Sequence, residues 1–179
     1  MFTSDMDNYL LLPHSQELAV VSTLLGFANT FFLGKDFVFL ESTKKKDLLA
    51  ETQKAKGKKI VFRPATEEML RFALEKANVD IILGVEFIHS KDSLHYLRGG
   101  LDDILCRIAV REGKTIGFSF SDILRSDKKD KLLSRIAFNI VLCEKFGVKT
   151  VFSTFASTEK ELRSSLDLDA VWRALHRLR

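Results

Sequence analysis

The residues with which this chain could hold a metal or activate a nucleophile are four histidines, two cysteines and its carboxylates, and their spacing favours neither chemistry. His14, His89, His95 and His176 form no His-x-His pair, no His-Glu-x-x-His helix and no Cys/His pattern that would bring zinc ligands to one point. His89 and His95 share one long polar stretch with Glu86 and Asp92 near by and could converge there as a two-histidine metal site, although hydrogen bonding to loop backbone or to a nucleic acid is the plainer use of both rings. His176 falls in the last helical segment and reads as a surface or interface residue. Cys106 and Cys143, far apart in apolar helical stretches, read as small core residues of a reducing compartment rather than as a disulfide scaffold or zinc knuckle. Gly99-Gly100 precedes a helix, where its N–H groups either receive a phosphate or simply make a tight turn. No Gly-x-Gly-x-x-Gly or P-loop supports a nucleotide cofactor. Among the 15 phenylalanines, Phe31, Phe32, Phe118 and Phe138 occupy strand or helix-core positions and are expected to pack rather than to stack on bases.

The elements that must position these residues alternate along the whole chain. Strand-like apolar runs cover 2–5, 30–33, 37–40, 59–63, 80–84, 115–119 and 150–153, most of them apolar on both faces as buried parallel strands are. Helical periodicity covers 15–25, 45–55, 67–77, 100–111, 130–146 and 167–178. Pro64 and Thr66 mark one helix start, and Gly57, Gly113 and Gly147 mark stops of the left-handed kind. Repeated βα units without a linker, repeat or low-complexity tract predict one α/β domain over residues 1–179, either an open parallel sheet or a parallel barrel. A full barrel takes about 250 residues, so a barrel here is shortened. In such folds ligands meet the carboxyl ends of the strands, which places Arg63 and residues 86–91, 119–122 and 153–157 at the functional rim. The charge-free stretch 18–34 approaches the length of a membrane span, but its polar interruptions favour a buried helix followed by a buried strand. Asp5 and Asp7 stand where a secretory leader would be basic, so no export signal is expected and the location expected is cytoplasmic.

A net charge of +4 hides a segregation, because residues 44–63 carry eight bases and two acids while residues 1–43 carry one base and five acids. A second cluster, Arg125, Lys128, Lys129, Lys131 and Arg135, flanks the expected rim. Each cluster is either a solvated face or a surface that gains affinity for phosphates by releasing counterions.

The run VDIILGVEFIHSKDSLHYLRGGLDDILCRIAVREGKTIGFSFSDIL at 79–124 and the run KLLSRIAFNIVLCEKFGVKTVFSTFAS at 131–157 resemble component 3 of archaeal ribonuclease P, a relative of the thirty-kilodalton subunit of the eukaryal enzyme. The most specific pieces are GFSFSDIL and the helix carrying Arg135, Asn139 and Cys143 at four-residue intervals. The resemblance implies a TIM-like barrel of the polymerase-and-histidinol-phosphatase superfamily in which the protein is not the catalyst. In that family the RNA subunit removes the 5′ leader of precursor tRNA using Mg²⁺, and no cofactor is expected on this chain. Implied partners are the ribonuclease P RNA, the RRM-like component 2 in a dimer of heterodimers, and other ribonuclease P protein subunits indirectly, with no membrane. The related phosphoesterases carry an Asp-x-His-x-His metal signature on the first strand, where this chain reads Asp5-Met6-Asp7-Asn8-Tyr9. The histidines are missing, so a metal-dependent phosphoesterase stands as the alternative reading and a protein-only interaction module as a third. Residues expected to touch RNA are Arg63, Lys91, His95, Arg98, Lys128, Lys129, Lys131 and Arg135, with a pairing of Arg135 to Asp122 or Glu86 as the competing role of that arginine.

Overall fold

A computed structural model describes residues 6–55, 57–93 and 97–178. Its seven strands are β1 (Asp7–Pro13), β2 (Asn29–Leu33), β3 (Phe37–Leu40), β4 (Lys59–Phe62), β5 (Ile81–Leu83), β6 (Thr115–Ser119) and β7 (Lys149–Ser153). They lie in chain order in a single sheet, and every neighbouring pair is parallel. The sheet curls until its two edges meet. Leu10 and Ala156 form a parallel bridge, with the Leu11 N–H donating to the Ala156 carbonyl at 2.9 Å. At the same seam the Tyr9 N–H donates to Ser153 Oγ at 2.7 Å, and Thr154 Oγ1 donates to the Asn8 side-chain carbonyl.

The period-two alternation of a strand sorts residues between two cores. Inward-pointing Tyr9, Phe31, Phe37, Phe39, Val61, Ile81, Leu83, Val151 and Phe155 fill the barrel. Outward-pointing Ile60, Phe62, Ile82, Ile116, Phe118 and Phe152 pack beneath the helices. Gly117 of β6 takes an inward position where a Cβ would lie 2.9 Å from Ile81 Cγ2 and 3.1 Å from a Leu83 methyl, so its missing side chain lets the barrel close tightly.

The helices are α1 (Gln16–Leu24), α2 (Lys45–Lys54), α3 (Glu67–Lys76), α4 (Asp103–Arg111), α5 (Phe120–Arg125), α6 (Lys129–Phe146) and α7 (Ser165–Arg177). Thr66 caps α3, accepting from the Met69 N–H, and Gly147 ends α6 in the left-handed conformation. The connection between β2 and β3 is only three residues, far too short for a crossover helix, and the two strands accordingly share just the Leu33–Phe37 pair.

The α/β barrel expected from the sequence is present, with four departures. The expected strand at 2–5 lies outside the described residues, and the first described strand is Asp7–Pro13, which carries Asp7, Asn8 and Tyr9 of the segment compared with the metal signature. The helix in the charge-free stretch is not buried, since Val20 and Leu24 are 50% and 80% exposed and only Leu18 and Ser22 of α1 are buried. Among the described residues no helix is long and apolar enough to cross a membrane. The helix expected from residue 100 starts at Asp103, where the Asp102 carboxylate accepts the Leu105 N–H and fixes the first turn. The fourth departure, the short α5, follows β6 without a loop, its cap being Ser119, the last residue of the strand.

Candidate functional site

The carboxyl ends of β4, β5, β6 and β7 present a cluster of charged side chains at the mouth of the barrel. Arg63 follows β4 and crosses Gly84, whose built Cβ would sit 3.0 Å from Arg63 Nε; with φ at 77° this position accepts glycine and little else. The Arg63 guanidinium lies against Phe39 and Phe87, at 5.6 and 6.0 Å from the ring centroids, and donates from Nη2 to Asp122 Oδ2 at 2.5 Å. Asp122, in α5, uses its other oxygen to accept from Arg125 Nη2 at 2.9 Å. Arg125 extends the network to Ser157 Oγ and Glu161, at 2.8 and 3.4 Å, beyond β7. Asp122 is buried and held between two guanidinium groups.

Arg135 organises a second network. It reaches from α6 under the polar stretch after β5, where Nε and Nη2 both donate to Asp92 Oδ1 at 2.9 and 2.7 Å. Its Nη1 donates to the carbonyls of Glu86 and His89 at 2.8 and 2.6 Å. Lys131, one turn earlier, lies 3.0 Å from the other Asp92 oxygen. These bonds, with the Arg98 N–H at 2.9 Å, hold the Asp92 carboxyl well below the usual carboxylate range despite desolvation acting against them. One buried cation thereby ties the loop after β5 to the helix after β6.

Glu86 stands between these networks with neither carboxylate oxygen bonded, and only 1% of the residue is exposed. Burial pushes its carboxyl up to about 7 and Asp122 pushes the same way, while its own backbone N–H and the Arg63 and Arg135 charges act against the shift. Arg63 Nε and Ser121 Oγ are likewise buried without a hydrogen-bond partner, Arg63 Nε lying 4.0 Å from a Glu41 carboxylate oxygen.

The sequence-derived contact residues fall into three groups. Lys91, Arg98, Lys128 and Lys129 are exposed on the rim. Arg63, Lys131 and Arg135 point into the protein and are ion-paired, Arg135 with Asp92 rather than with Asp122 or the Glu86 carboxylate. His95 lies outside the described residues. His89 turns to Glu67 of α3, with Nε2 at 2.8 Å, and among the described residues no group of three histidine, cysteine, aspartate or glutamate side chains converges as a metal site would require. Gly99 and Gly100 are packing residues: a Cβ on them would strike the Asn139 side chain and the Val85 carbonyl, at 2.3 and 2.0 Å. Cys106 and Cys143 are both free, buried and in contact across α4 and α6, and the Cys106 thiol, together with burial, pushes Cys143 up. Phe138, expected in the core, is partly exposed beside Ile104 in a groove between the same helices.

Sequence reasoning missed Glu86 as the unpaired group and Asp92 as the anchor of Arg135. Only the four-residue spacing of Arg135 and Asn139 hinted at the latter: Asn139 donates to the Gly99 carbonyl at 2.7 Å, so both residues of one α6 face bind the polar stretch 86–99.

No family model matches the sequence. The chain is 28% identical to ribonuclease P protein component 3 of Methanosarcina acetivorans over 165 residues, which is 90% of this chain and 65% of that protein. It is 28% identical to ribonuclease P protein component 3 of Methanosarcina barkeri over 161 residues, 88% of this chain and 64% of that one. It thus spans slightly under two thirds of the length of these relatives. Among solved structures, a chain in a cryo-EM structure of archaeal ribonuclease P with mature tRNA superposes with a TM-score of 0.69 at 21% identity, covering 95% of this chain and 72% of that one. An amidohydrolase superposes with a TM-score of 0.54 at 15% identity, over 82% of this chain and 38% of its own. The chain is a sequence relative of ribonuclease P protein component 3, folded as a shortened α/β barrel that superposes on part of each of these solved structures.

Proposed function

We propose that this chain is a non-catalytic protein subunit of ribonuclease P, supporting the RNA that removes the 5′ leader from precursor tRNA. The observation that carries this reading is the similarity to component 3, which runs through 90% of the chain and through both strand-end networks. The mouth of the barrel supports it chemically. Where a barrel hydrolase gathers carboxylates and imidazoles around a metal, Asp122 and Asp92 are each clasped by arginine, and a cation would have to displace a guanidinium from either. What the mouth offers outward is a positive rim: Lys91, Arg98, Lys128 and Lys129, with Arg125 half-exposed between them. Such a rim positions phosphates without reading bases, lowers repulsion between RNA segments, and raises the population of the folded catalytic core. The RNA's own Mg²⁺ ions then supply the chemistry, component 2 is the protein partner of this subunit, and the assembly acts in the cytoplasm.

Reconstitution tests the reading. The ribonuclease P RNA, component 2 and precursor tRNA are combined with or without this chain, and leader removal is followed. A clear loss of processing at limiting Mg²⁺ when the chain is omitted is expected. Equal activity in its absence, or phosphoester hydrolysis by the purified chain alone, refutes the proposal.

A further inference from the structure

The mouth of the barrel carries an aromatic ring that the core leaves uncovered. Directly after β5 the chain makes a single 3-10 turn, Val85–Phe87, entered through the left-handed Gly84 and closed by the Phe87 N–H donating to the Gly84 carbonyl at 3.1 Å. Val85 and Glu86 of this turn are buried, whereas Phe87 is 46% exposed, more than any other phenylalanine among the described residues. The Arg63 guanidinium lies over the Phe87 ring and over Phe39, so Phe87 is braced on one face and open on the rest.

Phe87 lines a cleft of about 320 Å³ between this turn and the start of α6, together with Ser90, Ser126, Asp127, Lys128 and the buried Leu132. A cleft of this size, at the small end of ligand sites, suits one planar ring system. Its polar groups can meet the edge of such a ring. Ser126 Oγ accepts the Lys128 N–H at 3.2 Å and keeps its own hydrogen to donate, and the exposed Asp127 carboxylate is an acceptor for N–H groups. Charge does not choose the ligand here, because Lys128 and Lys129 stand beside Asp127 and Asp130 and the four sum to zero. The flat face does.

We propose that this cleft takes one unpaired base of a single-stranded RNA segment, stacked on Phe87, while the flanking phosphates lie along the surrounding rim of Lys91, Arg98 and Arg125. This rests on the RNA-binding reading above and specifies the form of RNA that the mouth accepts. A base inside a duplex has both faces covered by its neighbours, so only a loop, bulge or free strand can offer one. Stacking tolerates every base, which agrees with a rim that positions phosphates without reading sequence. The turn is already fixed by Gly84 and the ring by Arg63, so little ordering is lost on binding.

Binding to the full chain tests this with three probes: a single-stranded oligoadenylate of about twelve nucleotides, its duplex with oligouridylate, and a ribonuclease P RNA transcript. Wild type and Phe87→Tyr are expected to bind the single strand and the transcript alike. Phe87→Leu keeps an apolar side chain against Arg63 but has no flat face. It should bind the single strand about 5- to 100-fold more weakly and the duplex unchanged, with the same slope of log affinity against log salt, since no phosphate contact is lost. Fluorine NMR of the chain carrying 4-fluorophenylalanine gives a second reading on the wild-type sequence. The Phe87 resonance, assigned by its absence in Phe87→Tyr, should shift with the single strand and stay in place with an abasic strand of equal length.

Wild-type affinity in Phe87→Leu, equal losses on single strand and duplex, a transcript bound without any affinity for the single strand, or a resonance indifferent to bases overturns this inference alone. So does adenosine monophosphate shifting the resonance where the single strand does not, which would make the cleft a site for a free nucleotide. Loss of component 2 binding in Phe87→Leu with RNA binding intact would assign the ring to a protein contact and overturns it too. Failure of the wild type to bind the transcript overturns the functional reading and this inference with it.

Discussion

A cation stands at each end of β4, and the two are held by different means. At the base, Lys59 lies over the rings of Tyr9 and Phe31, at 5.2 and 4.9 Å, and donates to the Tyr9 hydroxyl at 2.8 Å. Four residues on, at the mouth, Arg63 also meets two aromatic faces, yet its partner is the carboxylate of Asp122. Tyr9 itself stacks between Phe31 and Phe155, at centroid distances of 4.8 and 5.5 Å, so Lys59 sits on an aromatic plug. The mouth is a mesh of opposite charges. An aromatic plug tolerates loss of its cation, because the rings still pack; a buried ion mesh does not, because each removal strands a partner.

The largest effect expected of a single change is therefore at the mouth. Arg135→Ala leaves Asp92 with only Lys131 and the Arg98 N–H, strands two carbonyls, and should cost about 3–5 kcal/mol, read as a fall in the denaturant midpoint. A loss under about 1 kcal/mol would mean that solvent replaces the arginine, making the mesh no more demanding than the plug.

Glu86→Gln works in the opposite direction. A carboxyl held at about 7 in the folded chain against its ordinary 4.5 binds its proton more tightly folded than unfolded, so its contribution to stability declines as pH rises from about 4.5 to 7 and stays low above. Glutamine removes that penalty, and the variant should gain over wild type as pH rises, reaching the order of 3 kcal/mol at about pH 8 and vanishing at about pH 4. Denaturation at several pH values checks this; a gain independent of pH would rule out the charge as its source. Asp92 behaves conversely, since a depressed carboxyl stabilises above its unfolded range and loses that stabilisation as pH falls below about 4.

The paired substitutions Arg63→Met and Lys59→Met test the comparison head on. The first leaves Asp122 with Arg125 alone and should cost about 2 kcal/mol, the second about 1 kcal/mol or less. Equal costs in thermal denaturation would erase the distinction between the two ends. Smallest in stability, within about 0.5 kcal/mol, are Lys128→Ala and Lys129→Ala, both exposed. Their effect should appear in RNA binding, where the double variant lowers the slope of log affinity against log salt by about 2. An unchanged slope would remove these lysines from the interface.

The barrel was legible because its strands are short apolar runs separated by helices of clear period, and Phe37–Leu40 and Thr115–Ser119 fall where the sequence places them. Asp7–Pro13 was obscured by Asp7 and Asn8, polar residues whose place in a strand follows from tertiary partners: Asn8 is buried with Ser22 and Thr154. The site was legible as a rim and illegible as a mesh. Clustered lysines and arginines announce positive charge, but whether an arginine faces solvent or a carboxylate 43 residues away depends on a loop geometry that no local pattern encodes. Exposure of α1 had the same cause, since apolar composition does not say which face finds a neighbour.

The bridge from Leu10 to Ala156 joins residues 146 positions apart, whereas each other parallel pair unites strands that follow one another in the chain. Zipping can proceed strand by strand around the curl, but the last join must wait for nearly the whole polypeptide and bears the largest ring-closure entropy. Transient opening should start there as well, and amide hydrogens of Tyr9 and Leu11 should exchange with deuterium sooner than those of β4 and β5. The circular wall therefore has a hinge line, set by the order in which its staves are threaded.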